Sequence, residues 1–426
     1  MSRLEELIAE LCPNGVEYKE LGDVTELIKN GFTYEVDKTT TKKYKVSRIE
    51  TISGGVINME KVATVDTADE RYRLTDGDIL FSHINSLPYL GNIAFYEEKY
   101  GELYHGMNLL CFRFIRNIVL PKFAFYIFRT SFFRKYIDKY AKHSCNQYSL
   151  SISTIKKWKI PVPPLPVQEE IVRILDKFTE LTAELATELA KRKQQYQYYR
   201  NTLVDFKEGF DRPSPINGLI AELCPNGVEY QPLKNVCEVR SGWGFPNSEQ
   251  GLTEGELPFY KVSDMNNFGN GTVMTLANNY ISKATAKKLG CSPAPSGTII
   301  FPKIGAAIGT NKKRVLSTIS CYDNNVVGLI PNNLIRSKFL FYIMDSINLM
   351  QFADYSGAMP SIRKTTLEKY RIPVPPLPIQ KEIVRILDRF DALCNDLASG
   401  LPAEIEARKK QYEYYRDKLL TFKEAV

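Results

Sequence analysis

The sequence predicts an α+β protein built twice over. Two domains of mixed α/β structure are separated by two long helices that pair as an antiparallel coiled coil, with an internal pseudo-two-fold repeat. Three observations lead there. Leu7 to Tyr18 reads LIAELCPNGVEY and returns unchanged as Leu219 to Tyr230, 212 residues later. Lys159 to Phe178, KIPVPPLPVQEEIVRILDKF, returns at the same offset as Arg371 to Phe390, RIPVPPLPIQKEIVRILDRF. Each second block then runs into a long stripe of apolar residues at heptad spacing. A repeat of this length sets the architecture before any local reading does. The expected boundaries are a first variable domain over 1–158 and a Pro-rich tract with the central long helix over 159–210. A linker with the second variable domain follows over 211–370, then a Pro-rich tract with the C-terminal long helix over 371–426.

Within the variable regions only framework segments match. Tyr44-Lys45-Val46-Ser47 answers to Tyr260-Lys261-Val262-Ser263, and Lys122 to Ile127 answers to Lys338 to Ile343. The segments 44–49, 78–81 and 109–114 are β-branched or aromatic and bounded by Gly or Asp, so they read as strands. Their counterparts are 259–262, 298–301 and 325–330. The stretches 122–140 and 338–353 have helical spacing. A shared scaffold carrying different loops suggests one kind of task performed on two different targets.

The tract Pro161-Val162-Pro163-Pro164-Leu165-Pro166 excludes helix and central strand. It resembles a polyproline ligand, but it runs straight into a helix in both copies, so it reads as a stiff connection that aims that helix. From there Ile171, Ile174, Phe178, Leu181 and Leu185 form a stripe, resumed by Leu189, Tyr196, Tyr199, Leu203 and Phe206 after a four-residue stutter. Ile383, Ile386, Phe390, Leu393 and Leu397 repeat it, followed by Tyr412, Tyr415, Leu419 and Phe422. A helix from 168 to 206 is about 60 Å long, too long to bury its own stripe. Two in one chain bury each other. In the second copy Ser399-Gly400-Leu401-Pro402 should break the helix.

Composition narrows the class. The chain has 426 residues, 44% hydrophobic, with a net charge of +7. That mild excess of base suits a phosphate-bearing partner without requiring one. Eight cysteines show no C-x-x-C pair, and three histidines show no metal spacing, which points to a reducing compartment and no zinc site. The start, 1–10, is acidic and amphipathic rather than a signal peptide. No apolar run is long enough to span a bilayer, so a cytoplasmic location is expected. Gly305 to Lys312 lacks the adjacent Gly-Lys-Ser/Thr of a phosphate loop. Gly242-Trp243-Gly244 lacks a third glycine of a dinucleotide fingerprint. No Asn/Asp-Pro-Pro-aromatic tetrad grips a flipped base.

The loops carry polar, aromatic and basic side chains of the kind that read base edges and hold phosphates. In the first copy the candidates are Lys29, Asn30, Thr33, Tyr34, Lys43, Arg48, His83, Asn85, His105, Asn108, Asn146 and Gln147. In the second they are Ser241, Trp243, Lys261, Ser263, Lys303, Asn324, Asn325, Ser356, Ser361 and Arg363. Each loop alone is ordinary solvated surface; their recurrence on two matched scaffolds is the signal.

The blocks Ile171-Val172-Arg173-Ile174-Leu175-Asp176 and Ile383-Val384-Arg385-Ile386-Leu387-Asp388, with Gln195 to Arg200 and Gln411 to Arg416, resemble the specificity subunits of type I restriction–modification enzymes. The resemblance covers essentially the whole chain. It implies that each variable domain is a target-recognition domain reading one half of a split DNA site. It further implies that the helices dock two adenine methyltransferase subunits and, through them, restriction/translocase subunits. S-adenosylmethionine, ATP and Mg belong to those partners; this chain is expected to carry no cofactor, no metal and no catalytic residue. The first copy departs from the family pattern at Phe81-Ser82-His83-Ile84-Asn85, where a basic residue and a glycine are typical. Tyr198 with Arg200, and Tyr414 with Arg416, are the expected docking anchors, because Tyr196 and Tyr199 lie on the stripe and Tyr198 off it. Two unlike half-sites about 10 bp apart are expected, with a spacer fixed in length by the helices. A four-residue change in helix length should alter that spacer and leave both halves intact. The alternative is a free-standing bivalent DNA-binding regulatory protein, favoured if the purified chain is soluble and site-specific alone. A duplicated enzyme or carbohydrate-binding protein would instead show an acid/base pocket.

Overall fold

The repeated blocks find each other. In the computed structural model, which describes residues 3–33, 44–144, 147–206, 216–395 and 400–425, Tyr18–Glu20 pairs antiparallel with Lys159–Pro161. Tyr230–Pro232 pairs likewise with Arg371–Pro373. The proline tract is therefore partly strand, which corrects the expectation of a bare linker. Proline is tolerated there because the ladder has only two strands and needs no second donor. Pro163 is buried, so the tract is not presented as an exposed polyproline ligand.

The chain divides into two units, Met1–Ala183 with Ala407–Val426, and Glu184–Glu406. Both divisions fall inside helices. Each unit holds a central antiparallel sheet in the same order. In the first it runs Thr25–Asn30, Leu109–Phe114, Ile79–Ser82, Ile93–Phe95. In the second it runs Cys237–Ser241, Val326–Pro331, Ile299–Pro302, Arg314–Leu316, with Val273–Met274 added in parallel at the edge. A smaller three-stranded sheet beside each contains one parallel pair, Tyr104–His105 with Tyr44–Ser47 and Cys321–Tyr322 with Leu257–Tyr260. All six expected strands are present, shifted by at most two residues at their ends.

The helices differ more from expectation. The predicted helix 122–140 is two, Pro121–Phe128 and Ser131–Tyr140. Thr130 accepts a hydrogen bond from Phe133 N at 3.1 Å and starts the second one, a side-chain cap that competes with helix continuation. The predicted helix 338–353 stops at Ser346, and a 3₁₀ turn, Leu349–Phe352, follows with Asn348 as its cap. In both units the first of these helices is buried nearly all round, Phe123 to Phe128 and Phe339 to Met344, as a helix must be when sandwiched between a sheet and further helices.

The long helix runs Leu165–Val204, 40 residues. Pro166 sits in its first turn, where a missing N–H costs nothing. The C-terminal pair is Leu377–Asn395 and Leu401–Leu419, interrupted where Gly400 and Pro402 were expected to interrupt it. At the helix start Val167, Ile171 and Leu175 are buried; Ile171 lies on the expected stripe, Leu175 takes the place expected of Ile174, and Leu181 and Leu393 are exposed. These first turns pack onto their own unit's core. Beyond them the helices meet. Phe178 stacks on Tyr415 in the first unit, with centroids 5.7 Å apart, and Tyr199 stacks on Phe390 in the second, at 5.2 Å.

Two polar networks, one buried and one half-exposed, hold each helix start. Gln168 is fully buried. Its Oε1 accepts from Leu120 N at 2.9 Å, and its Nε2 donates to Ile118 O at 2.9 Å and Pro163 O at 2.8 Å. Gln380 repeats this with Arg336 N, Leu334 O and Pro375 O at 2.8, 3.0 and 2.8 Å. The aspartate of each Ile-Leu-Asp block receives a lysine and a tyrosine: Lys122 and Tyr126 on Asp176, Lys338 and Tyr342 on Asp388. Among the described residues no helix is long and apolar enough to cross a membrane.

Candidate nucleic-acid interface

The candidates gather where the central sheet ends. In the first unit the strand Thr25–Asn30 runs on through Gly31 and Phe32 beside the turn 105–108. Gly31 N donates to Leu109 O at 3.0 Å, and Phe32 N to His105 O at 3.3 Å. Asn108 has a φ of 72°, a conformation asparagine tolerates better than most residues, and its N–H donates to Asn30 Oδ1 at 3.1 Å. His83, just past Ile79–Ser82, reaches Asn108 O through Nδ1 at 3.1 Å. Leu150 N donates to His83 O at 2.9 Å and seats the hairpin formed by Lys142–Ser144 and Gln147–Ser149.

The second unit repeats the wiring. Gly242 N donates to Val326 O and Trp243 N to Tyr322 O, both at 3.0 Å; Ile362 N donates to Lys303 O at 2.8 Å. This correspondence matches Asn30 with Ser241, Phe32 with Trp243, His83 with Lys303, Met107 with Asn324, Asn108 with Asn325, and Ser149 with Ser361. Ser47 and Tyr260 occupy the same place in this wiring, so Tyr44–Ser47 aligns with Leu257–Tyr260 rather than with Tyr260–Ser263 as the sequence match suggested, and Arg48 corresponds to Lys261. Each precedes a 3₁₀ turn, Arg48 paired with Glu50 at 2.7 Å and Lys261 with Gln250 Oε1 at 3.1 Å. The backbone is held in common while the side chains at its end differ.

The other candidates divide. Asn85 bonds Ser82 Oγ and Ser86 N. Gln147, Ser263, Asn324 and Asn325 are exposed. Ser356 accepts from Arg363 Nη2 at 3.1 Å, and Arg363 also pairs with Asp354. Thr33 lies 3.5 Å from Met107 Sδ. Tyr34, Lys43 and Asn146 lie outside the described residues. Some expected contacts point inward. His83 and His105 are buried, and burial pulls both imidazoles down to about 4, so at neutral pH they are uncharged and brace the turn. Lys29 places its ammonium 3.8 Å from the centre of the Tyr72 ring. Arg200 and Arg416 expose only 14% and 11% of their side chains and pair with Asp345 and Asp417. That corrects their reading as surface anchors. Tyr198 and Tyr414 are 59% and 62% exposed.

Sequence reasoning passed over Met107, Tyr355 and Met359, all well exposed at these loops. An aromatic directly before Ser-Gly was the available cue for Tyr355. Among the described residues no cluster of His, Cys, Asp and Glu is arranged to hold a metal ion.

A family model described as the type I restriction modification DNA specificity domain matches residues 13–192 and 225–407. The chain belongs to that family. It is 34% identical over 284 residues to the specificity subunit of the Escherichia coli type I restriction enzyme EcoR124I/EcoR124II, a match spanning 64% of this chain and 65% of that one. A chain of Methanocaldococcus jannaschii, named for the specificity subunit of the type I restriction enzyme MjaX, is 32% identical over 411 residues, 94% of this chain and 92% of its own. The fold is shared with a solved chain from a type I restriction–modification system, at a TM-score of 0.59 and 19% identity over 96% of this chain and 98% of that one. It is also shared with the S subunit from M. genitalium, at 0.52 and 17% over 95% and 96%.

Proposed function

We propose that this chain is the non-catalytic, DNA-reading subunit of a cytoplasmic type I restriction–modification complex. It recognises a bipartite target in double-stranded DNA and docks two adenine methyltransferase subunits and, through them, restriction subunits. One observation carries the reading: two sheet ends with the same hydrogen-bond wiring and different side chains occur in one polypeptide. Two readers of one design with unlike contacts require two unlike half-sites. Phosphate contacts position such a reader and base-edge contacts specify, and the loops supply both kinds of group. S-adenosylmethionine, ATP and Mg are assigned to the partner subunits. Replacing residues 31–157 by the matching region of another family member should change one half of the methylated sequence and leave the other, read by mapping modified adenines. A change in both halves would contradict two independent readers.

Docking is assigned to the exposed tyrosines alone. Tyr198 packs edge-on against Tyr199 and Tyr414 against Tyr415, and each keeps its outer face in solvent. Exposed tyrosines are frequent interface anchors. The double change Tyr198→Ala and Tyr414→Ala is expected to weaken methyltransferase binding by roughly tenfold or more, about 1.4 kcal/mol, with the unfolding midpoint unchanged. Unaltered co-purification would remove these residues from the interface.

A further inference from the structure

The two sheet ends differ in character at the position that His83 holds in the first unit and Lys303 in the second. His83 is buried and neutral, with one ring nitrogen spent on Asn108 O. Lys303 is only half-buried. Its ammonium donates to Ser241 Oγ at 3.0 Å. That leaves two of its three N–H donors without a partner among the described residues. Its backbone is pinned on both sides, Lys303 N on Asn325 O at 2.9 Å and Lys303 O under Ile362 N. A lysine is usually a mobile point charge; this one is anchored at both ends of its side chain.

We infer that Lys303, positioned by Ser241, is a base-reading residue of the second unit, donating to the paired acceptors of a guanine in its half-site. This rests on the proposed DNA-reading function and adds the residue and the base. Two considerations favour a base edge over a phosphate. The carboxylate of Asp323 lies close enough to act on the Lys303 charge; it repels the full charge of a phosphate more strongly than the partial charges of a base edge. The amine is also partly desolvated, and the turn whose Asn325 O holds the Lys303 backbone exposes Asn324 and Asn325, a polar set suited to a groove floor. In the major groove guanine alone presents two adjacent acceptors, N7 and O6, and basic side chains that donate to both are the commonest specific contact. The first unit has no counterpart, since His83 offers neither charge nor a second free donor. The two half-sites should therefore differ in this contact.

The test selects duplexes from a randomised pool with the full chain and its co-purifying subunits, as wild type, Lys303→Met and Ser241→Ala. The wild type should enrich a split site with guanine at a fixed position of one half. Lys303→Met should lose preference at that position by about 5- to 150-fold, the worth of one good base contact. The other half, read by the same molecules, should be unchanged and so reports that the chain is folded. Ser241→Ala keeps the amine and loses its anchor, and should blunt the same position by a smaller factor. An unchanged sequence preference with weaker binding and a salt slope lower by about one would make Lys303 a phosphate contact and overturn the inference. So would an unchanged preference at unchanged affinity. Enrichment of nothing by the wild type would instead overturn the DNA-reading function itself.

Discussion

Gln380→Leu is expected to lower stability by about 3 kcal/mol, and Gln168→Leu by a similar amount. Each glutamine is fully buried and satisfies three main-chain groups at once: a loop N–H, a loop carbonyl and the carbonyl of Pro375 or Pro163. Leucine fills nearly the same space and removes every partner, leaving one donor and two acceptors stranded away from water. The cost therefore comes from unmet backbone groups, a larger effect than a single lost hydrogen bond. Urea unfolding followed by tryptophan fluorescence measures it for Gln168, because Trp158 lies in the same core. An unchanged midpoint would mean that water replaces the amide in these networks. Exposed residues of the same block, such as Glu169 and Lys381, should tolerate the same change within about 0.5 kcal/mol.

The second large effect is expected at Gly31 and Gly242. A Cβ on Gly31 would sit 2.1 Å from Gly106 O, and one on Gly242 would sit 2.0 Å from Asp323 O. Both contacts are with backbone, so no side chain can swing aside. Alanine must pry the strand end away from the turn and break the hydrogen bonds that Phe32 and Trp243 make across it. Overpacking of this kind costs typically about 1–3 kcal/mol. The functional loss should be local. Gly242→Ala should weaken recognition of one half-site by roughly tenfold or more, the equivalent of about 1.4 kcal/mol, and leave the other intact. Gly31→Ala should do the reverse. Binding to duplexes with each half separately scrambled distinguishes them, and equal loss at both halves would refute local action.

The loops Lys29 to Tyr34 and Arg240 to Gly244 stood out in the sequence as equivalents, but the register that sets Gly31 against Gly242 did not. Their surrounding sequences differ, and only the shared main-chain contacts align them. Arg200 shows the same limit. It follows a tyrosine cluster and looked like an interface residue. Asp345, which takes Arg200 inward, lies 145 residues away and nothing local points to it.

What the sequence determined by itself was the architecture: a duplication of two blocks, strands at 44–49, 78–81 and 109–114 with their counterparts, each found within two residues at its ends, long helices, and a break at Gly400 and Pro402. These follow from period, propensity and repetition, which act within a few residues or between identical segments. Tertiary structure alone decided which loop residues face solvent. It turned His83 and His105 into buried neutral braces, laid Lys29 on Tyr72, made Gln168 and Gln380 the fastening of each helix start, and tied Lys303 to Ser241. The physical reason is that burial and hydrogen-bond partnership are properties of chain segments brought together from far apart, 145 positions in the case of Arg200 and Asp345. A polar side chain has the same identity whether it meets water, a carbonyl or DNA, and only the fold chooses among them.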